Sequence, residues 1–184
     1  MNMDLTLYRD FVVREGTNDA EIYNDVVLNN EYWLPETFEA NDIVFDIGAH
    51  IGTFSHAAIR RGARRVIAIE AGLENFLVAR LNLRHYIKSV QVILMHRAVW
   101  RSDIDDHKVL SLGNFPNIHD HLINSGGASI NDDGSVGREV LSIGLDTLLE
   151  NHVDARHDGK VYLKLDCEGA EWPILFTSNL LDKV

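Results

Sequence analysis

Residues 44–54 read VFDIGAHIGTF. An apolar run ends in a carboxylate, Asp46, and glycines follow at positions 48 and 52. The apolar run from Ile43 to Ile47 suits a strand buried on both faces. Thr53 to Arg61 reads as a helix, with Gly62 placed to end it. In open parallel sheets, ligands bind beyond the carboxyl ends of the strands, where the order of the chain reverses. The stretch therefore reads as a strand, a ligand-facing turn and a helix. Gly48 lets the turn tighten, and Gly52 lets the backbone approach a ligand and the helix pack close.

Moving outward, Arg65 to Ile69 reads as a second buried strand, Leu73 to Tyr86 as a helix and Val90 to Leu94 as a third strand. Strand and helix in alternation predict an α/β fold, a mostly parallel sheet with helices on both faces and right-handed crossovers. Upstream, Leu5 to Val13 is strand-like and residues 19–29 are helical, opened by a capping-box pair, Asn18 and Glu21. Residues 1–40 form an N-terminal extension and 41–184 the main domain. An insertion at 102–138 is rich in Asp, Asn, Gly, Ser and His, with short strands expected near Lys108 to Leu112 and Ala128 to Ile130. It serves either as a lid over a site or as a surface loop. Glu139 to Ile143 is strand-like and Leu145 to Glu150 a short helix. Val161 to Leu165 is a further buried strand, ending in Asp166, and Gly169 to Leu181 a last helix with Pro173 in its first turn.

Composition sets outer limits. The chain has 184 residues, one domain's worth, and a formal net charge of -11. That balance argues against a nucleic-acid backbone as partner, which needs a basic face. The arginines at 60, 61, 64 and 65 read as a solvated helix end. A single cysteine, Cys167, permits no internal disulfide. The first residues lack the basic run and apolar stretch of a signal peptide, and no apolar run approaches the roughly 20 residues of a membrane helix. A cytoplasmic location without a membrane span is expected.

Asp46, Glu70 and Asp166 each end a strand, so all three carboxylates should share one sheet edge. Glu70 is placed to accept both hydroxyls of a ribose. Dinucleotide sites use GxGxxG and free amides at a helix start to hold a pyrophosphate. Here the pattern is DxGxxxG, and an acid before the first glycine suits a cationic ligand instead. S-adenosylmethionine combines an ammonium, a sulfonium and a ribose. A strand-end Asp followed by glycines can also serve only as a helix cap and a turn. Lys164 lies on a buried strand, where an unpaired ammonium is costly, so it should pair with a carboxylate. Ala49 and His50 fill the glycine turn and join the cofactor-facing set; His50 either reaches the acceptor or merely packs. His119 and His121 form an HxH pair with no partners at metal-site spacing, so no metal site is assigned. Cys167 reads as a small buried hydrophobe.

At this point the chain resembles the FkbM family of S-adenosylmethionine-dependent methyltransferases. VFDIGAHIGTFS, VIAIEAGLENFLVARLNL, HRAVW, SGGAS, VLSIGLDTLLE and LKLDCEGAEWPIL stand in the family's order. The segment FVVREGTNDAEIYNDVVLNNEYW looks like the region before the family's core. The resemblance implies a Rossmann-like class I methyltransferase fold and methyl transfer, commonly to oxygen of a small-molecule, sugar or lipid-like acceptor. By position, Asp46, Gly48 and Gly52 would line the methionine end of the cofactor, Glu70 would hold the ribose and Ala98 would lie near the adenine. Asp166 and Glu168, with Lys164 beside them, would face the reacting side, as general base or, for Asp166, as ligand to a divalent cation. Ala71 stands where the family usually has proline. A complete sheet of this kind has about seven strands, so a truncated C-terminus is expected, with Val161 to Leu165 at an open edge that a second copy can cover. Two other readings stay open: a catalytically inactive nucleoside-binding module and a nicotinamide oxidoreductase.

Overall fold

A computed structural model describes residues 4–114, 118–119, 122–123, 128–131 and 137–184. His121 and residues 125–127, which open the SGGAS stretch, lie outside the described residues, so the HxH pair is not seen together. Along the chain, a hairpin of β1 (Leu5–Tyr8) and β2 (Phe11–Arg14) leads into α1 (Asp19–Tyr23), which continues as a π-helical turn over Asn24–Leu28. Then come β3 (Ile43–Ile47), α2 (Thr53–Arg60), β4 (Arg65–Glu70), α3 (Leu73–Asn82), α4 (Arg84–Lys88) and β5 (Val92–His96). The second half carries β6 (Ala98–Trp100), β7 (Val109–Asn114), β8 (Ile118–His119), β9 (Leu122–Ile123), β10 (Ala128–Asn131) and β11 (Arg138–Gly144). It closes with α5 (Leu145–His152), β12 (Val161–Leu165), α6 (Glu171–Thr177) and a 3-10 turn at Leu181–Lys183.

Four strands form a parallel sheet in the order β12-β3-β4-β5. The chain winds outward from β3 through β4 to β5 and returns to the other side of β3 as β12, so the order reverses between β3 and β12. This is the crevice where a doubly wound sheet takes its ligand. Alternate residues of each central strand feed opposite cores. Val44, Val66 and Ala68 pack with the N-terminal hairpin, α2 and α3, while Ile43, Phe45, Ile47, Ile67 and Ile69 pack with α5 and α6. Burial on both faces accounts for the nearly unbroken apolar runs. Each fully buried aliphatic or aromatic side chain there contributes about 1.5–3 kcal/mol.

The insertion is more ordered in topology than its composition suggests. β7 pairs antiparallel with β11 and with β10, and β11 pairs parallel with β6, making a second four-stranded sheet. β6 follows β5 after Arg97 alone, so the two sheets splay from one point beside the end of β4. Two expected elements differ. The helix expected from Leu73 to Tyr86 breaks at Leu83, a fully buried residue, and resumes as α4. The last helix begins at Glu171 rather than Gly169, because Glu168 and Gly169 both adopt left-handed backbone angles. Among the described residues, no strand pairs with the outer side of β12.

Gly48 sits where β3 and β12 diverge. Its φ is +76°, and an added Cβ would meet the backbone carbonyl oxygen of Asp166 at 1.9 Å. Gly48→Ala is therefore expected to destabilise the fold by about 2–4 kcal/mol, read from urea unfolding. A loss below about 0.5 kcal/mol would mean the two strands can part without cost.

Candidate active site

A cavity of about 190 Å³ opens at the carboxyl edge of the parallel sheet. Its floor is the glycine turn, its sides the ends of β4, β6 and β12, and its roof Leu112 and Ile130 from β7 and β10. The insertion thus supplies a wall of the site. Tyr32 and Glu31 close it from the N-terminal side.

The glycine turn uses its own amides. Gly48 and Ala49 both donate to the Ile69 carbonyl, at 3.0 and 2.9 Å, and Gly52 donates to the Ala49 carbonyl at 2.8 Å. His50 donates its amide to Glu70 Oε2 at 2.7 Å. A pyrophosphate cradle needs such amides unspent. Glu70 is only 6% exposed, yet its carboxylate borders the cavity. Oε1 accepts from the Gly72 amide at 2.7 Å and from Asn75 Nδ2 at 3.5 Å. Burial raises the Glu70 carboxyl above its usual range, while the Gly72 and His50 amides pull it back. A carboxylate offers about four acceptor directions. The three protein donors leave room for a ligand hydroxyl, so the residues fit a ribose.

Gly48, Ala49, His50, Glu70, Ala98, Lys164, Asp166 and Glu168 all line this cavity. Asp46 and Gly52 do not. Asp46 is fully buried; its Oδ2 accepts from the amide and hydroxyl of Ser55, at 3.1 and 2.6 Å. It caps the start of α2, which is the plainer of the two roles open to a strand-end Asp. Its other oxygen, Oδ1, lies 3.4 Å from Lys164 Nζ, its register partner across the sheet. The buried carboxylate therefore faces Lys164 and not the cavity. Gly52 faces the Leu83 side chain, which an added Cβ would meet at 2.9 Å. It serves the close packing of the turn on Leu83.

Lys164 is 9% exposed and bonds the carbonyl oxygens of Ile47, at 3.3 Å, and Gly48, at 2.5 Å. Its ammonium also lies 3.7 Å from Asp166 Oδ2. The pairing expected of it is present, with two carboxylates instead of one. Asp166 is half-exposed and accepts a 2.5 Å hydrogen bond from the Tyr32 hydroxyl. The same Tyr32 ring lies 5.6 Å from the Lys164 ammonium. Burial and the neighbouring Asp166 carboxylate push the Tyr32 phenol upward, so it stays a donor. Burial, with the adjacent carboxylates of Asp166 and Glu171, raises Glu168 above the ordinary glutamate range. Glu171 instead accepts from the amides of Cys167 and Gly169, at 2.7 and 2.9 Å, and serves the start of α6. Cys167 is half-buried on the cavity wall, and burial raises its thiol far from reactivity.

Tyr32, Arg14 and Asn75 belong to this neighbourhood and do not stand out in the sequence. Only the placement of Tyr32 in NEYW and Arg14 in FVVREG, before the glycine turn, hints at them. Among the described residues, no cluster of three potential metal ligands occurs, and no helix is long and apolar enough to cross a membrane.

A parallel α/β sheet with a glycine turn and strand-end carboxylates along its carboxyl edge defines a Rossmann-like α/β domain. The model described as the methyltransferase FkbM domain matches residues 46–183, and the chain belongs to that family. No curated protein matches it. A solved FkbM methyltransferase from Methylobacillus flagellatus KT is 15% identical, over 83% of this chain and 32% of that one, with a TM-score of 0.47. A protein assigned as an RNA methyltransferase from Pyrococcus horikoshii is 21% identical, over 41% of this chain and 36% of that one, with a TM-score of 0.32. The chain spans about a third of the length of these solved structures.

Two outcomes check this geometry. Lys164→Met should leave Asp46 buried without its cation and cost about 3–5 kcal/mol by chemical denaturation. The double variant Lys164→Met, Asp46→Asn should recover part of that loss; a single-variant loss below about 1 kcal/mol would place the ammonium outside the fold's support. Burial lowers the His50 imidazole from 6.5 to about 4. In the unfolded chain it protonates near 6.5, so stability should fall as pH drops from that value towards 4. NMR of the ring should show His50 neutral down to about pH 5; a midpoint near its ordinary 6.5 would contradict this.

Proposed function

We propose that this chain uses S-adenosylmethionine as methyl donor and methylates a hydroxyl oxygen of a small-molecule, sugar or lipid-like acceptor. The observation that carries the reading is Glu70. Its carboxylate is held at the carboxyl end of β4 by the amides of His50 and Gly72, beside a turn in which the amides of Gly48, Ala49, His50 and Gly52 are already spent. That combination suits a ribose without a pyrophosphate, which favours a methyl donor over a nicotinamide dinucleotide. Ala98 and Val99, with Leu112 and Ile130, offer an apolar wall for the base, and the carboxylates of Asp166 and Glu168 give the cationic end its counter-charge.

When bound, S-adenosylmethionine supplies an electrophilic methyl group on sulfur. The protein's share is to hold the acceptor hydroxyl in line and to take its proton. Glu168 is assigned as the proton acceptor, because burial and the neighbouring carboxylates of Asp166 and Glu171 raise its carboxyl above the ordinary glutamate range. Asp166, fixed by Tyr32 and beside Lys164, orients the acceptor. His50 is assigned to the cofactor side alone, since its ring is tied to Arg14 at 3.1 Å.

The acidic balance supports an acceptor that is not a nucleic acid, and the side of β12 with no strand partner among the described residues supports pairing with a second copy. The single cysteine supports a reducing, cytoplasmic setting. Glu70→Ala is expected to weaken binding of S-adenosylhomocysteine by about ten- to a hundredfold in equilibrium dialysis, the worth of charge-assisted hydrogen bonds to ribose. An unchanged affinity would remove Glu70 from the site.

A further inference from the structure

Arg14 ends β2 of the N-terminal hairpin, ahead of the span matched by the family model. Its side chain is 10% exposed. Nε and Nη2 donate to the two oxygens of Asp19, each at 2.8 Å, in a bidentate fork. Nη1 donates to Asn75 Oδ1 at 2.7 Å, and Nη2 meets His50 Nε2 at 3.1 Å. Asn75 and His50 are two of the residues that donate to Glu70, and they reach different oxygens of its carboxylate.

Each arm has a physical consequence. A guanidinium has donors only, so the bond from Nη1 fixes the Asn75 amide with its oxygen towards Arg14 and its NH2 towards Glu70 Oε1. The bond from Nη2 makes His50 Nε2 an acceptor and sets the tautomer of the ring. His50 adopts a left-handed backbone, φ +53°, which a side chain rarely takes unless its surroundings hold it there. In that conformation its amide meets Glu70 Oε2. Asp19, fully buried, neutralises the guanidinium so that it can sit inside the protein.

We infer that Arg14 is a positioning residue for the Glu70 carboxylate, acting through Asn75 and His50, and that the N-terminal hairpin is thereby a working part of the nucleoside site. The inference rests on the reading of Glu70 as the ribose acceptor. It locates ribose selectivity partly in a segment that contributes no atom to the ribose contact itself.

The test uses the 184-residue chain. S-adenosylhomocysteine and its 2′,3′-dideoxy analogue are titrated calorimetrically into the wild type, Arg14→Gln, Arg14→Lys and Asn75→Ala, with circular dichroism confirming each fold. Arg14→Gln should weaken the ribose ligand about tenfold and leave the dideoxy ligand within about twofold, the signature of a misaligned carboxylate. Arg14→Lys, which keeps the charge and loses the fork, should recover little, and Asn75→Ala should lose about threefold on the ribose ligand alone. If Arg14→Gln does not fold, Asn75→Ala carries the same comparison. Equal weakening of both ligands, or no change in either, overturns the positioning role. A wild-type chain that binds both ligands equally overturns the reading of Glu70, and the inference with it.

Discussion

The ammonium of Lys164 stands between Asp46 and Asp166 and bonds the carbonyls of Ile47 and Gly48. It joins β12 to β3 at the point where the order of the sheet reverses. A buried carboxylate and a buried ammonium each lose several kcal/mol of hydration, recovered only when the pair and its hydrogen bonds are complete. Here Ser55 satisfies Oδ2 of Asp46 and so starts α2, while Oδ1 has the Lys164 ammonium at 3.4 Å as its counter-charge. The approach of β12 to Gly48 leaves no room for a side chain at that position. One electrostatic contact thus ties together the β12–β3 pair, the glycine turn and the floor of the cavity.

From that floor the site divides by charge. On the side of β4, Glu70 is enclosed by backbone amides and faces inward. On the side of β12, Asp166 and Glu168 remain exposed, with Tyr32 donating to Asp166. The two groups face one cavity from different strands, so a ligand with a ribose and a positive charge meets a partner at each end. The chain belongs to the FkbM methyltransferase family, and the placement of these acids is what the proposed reading of the cavity rests on.

Much of the framework was legible because burial on both faces writes itself as apolar runs. The strands at Ile43, Arg65 and Val161 and the glycine turn stand out for that reason. Asp46 was harder. Strand-end position predicts the edge of the sheet and not the direction of the side chain, and the partner that turns it inward, Lys164, lies far along the chain. Tyr32, Arg14 and Asn75 leave no pattern, since each is a single polar residue whose role depends on tertiary contact. The insertion was legible in its two strands, near Lys108 to Leu112 and Ala128 to Ile130, which appear as β7 and β10, but not in its sheet, which depends on pairing between β7 and β11.

The most direct measurement is a calorimetric titration of the chain with S-adenosylmethionine, with NAD as the control. Micromolar binding of S-adenosylmethionine and none of NAD is the predicted result. Binding of NAD alone, or of neither ligand by a folded chain, would contradict a site built around ribose and positive charge.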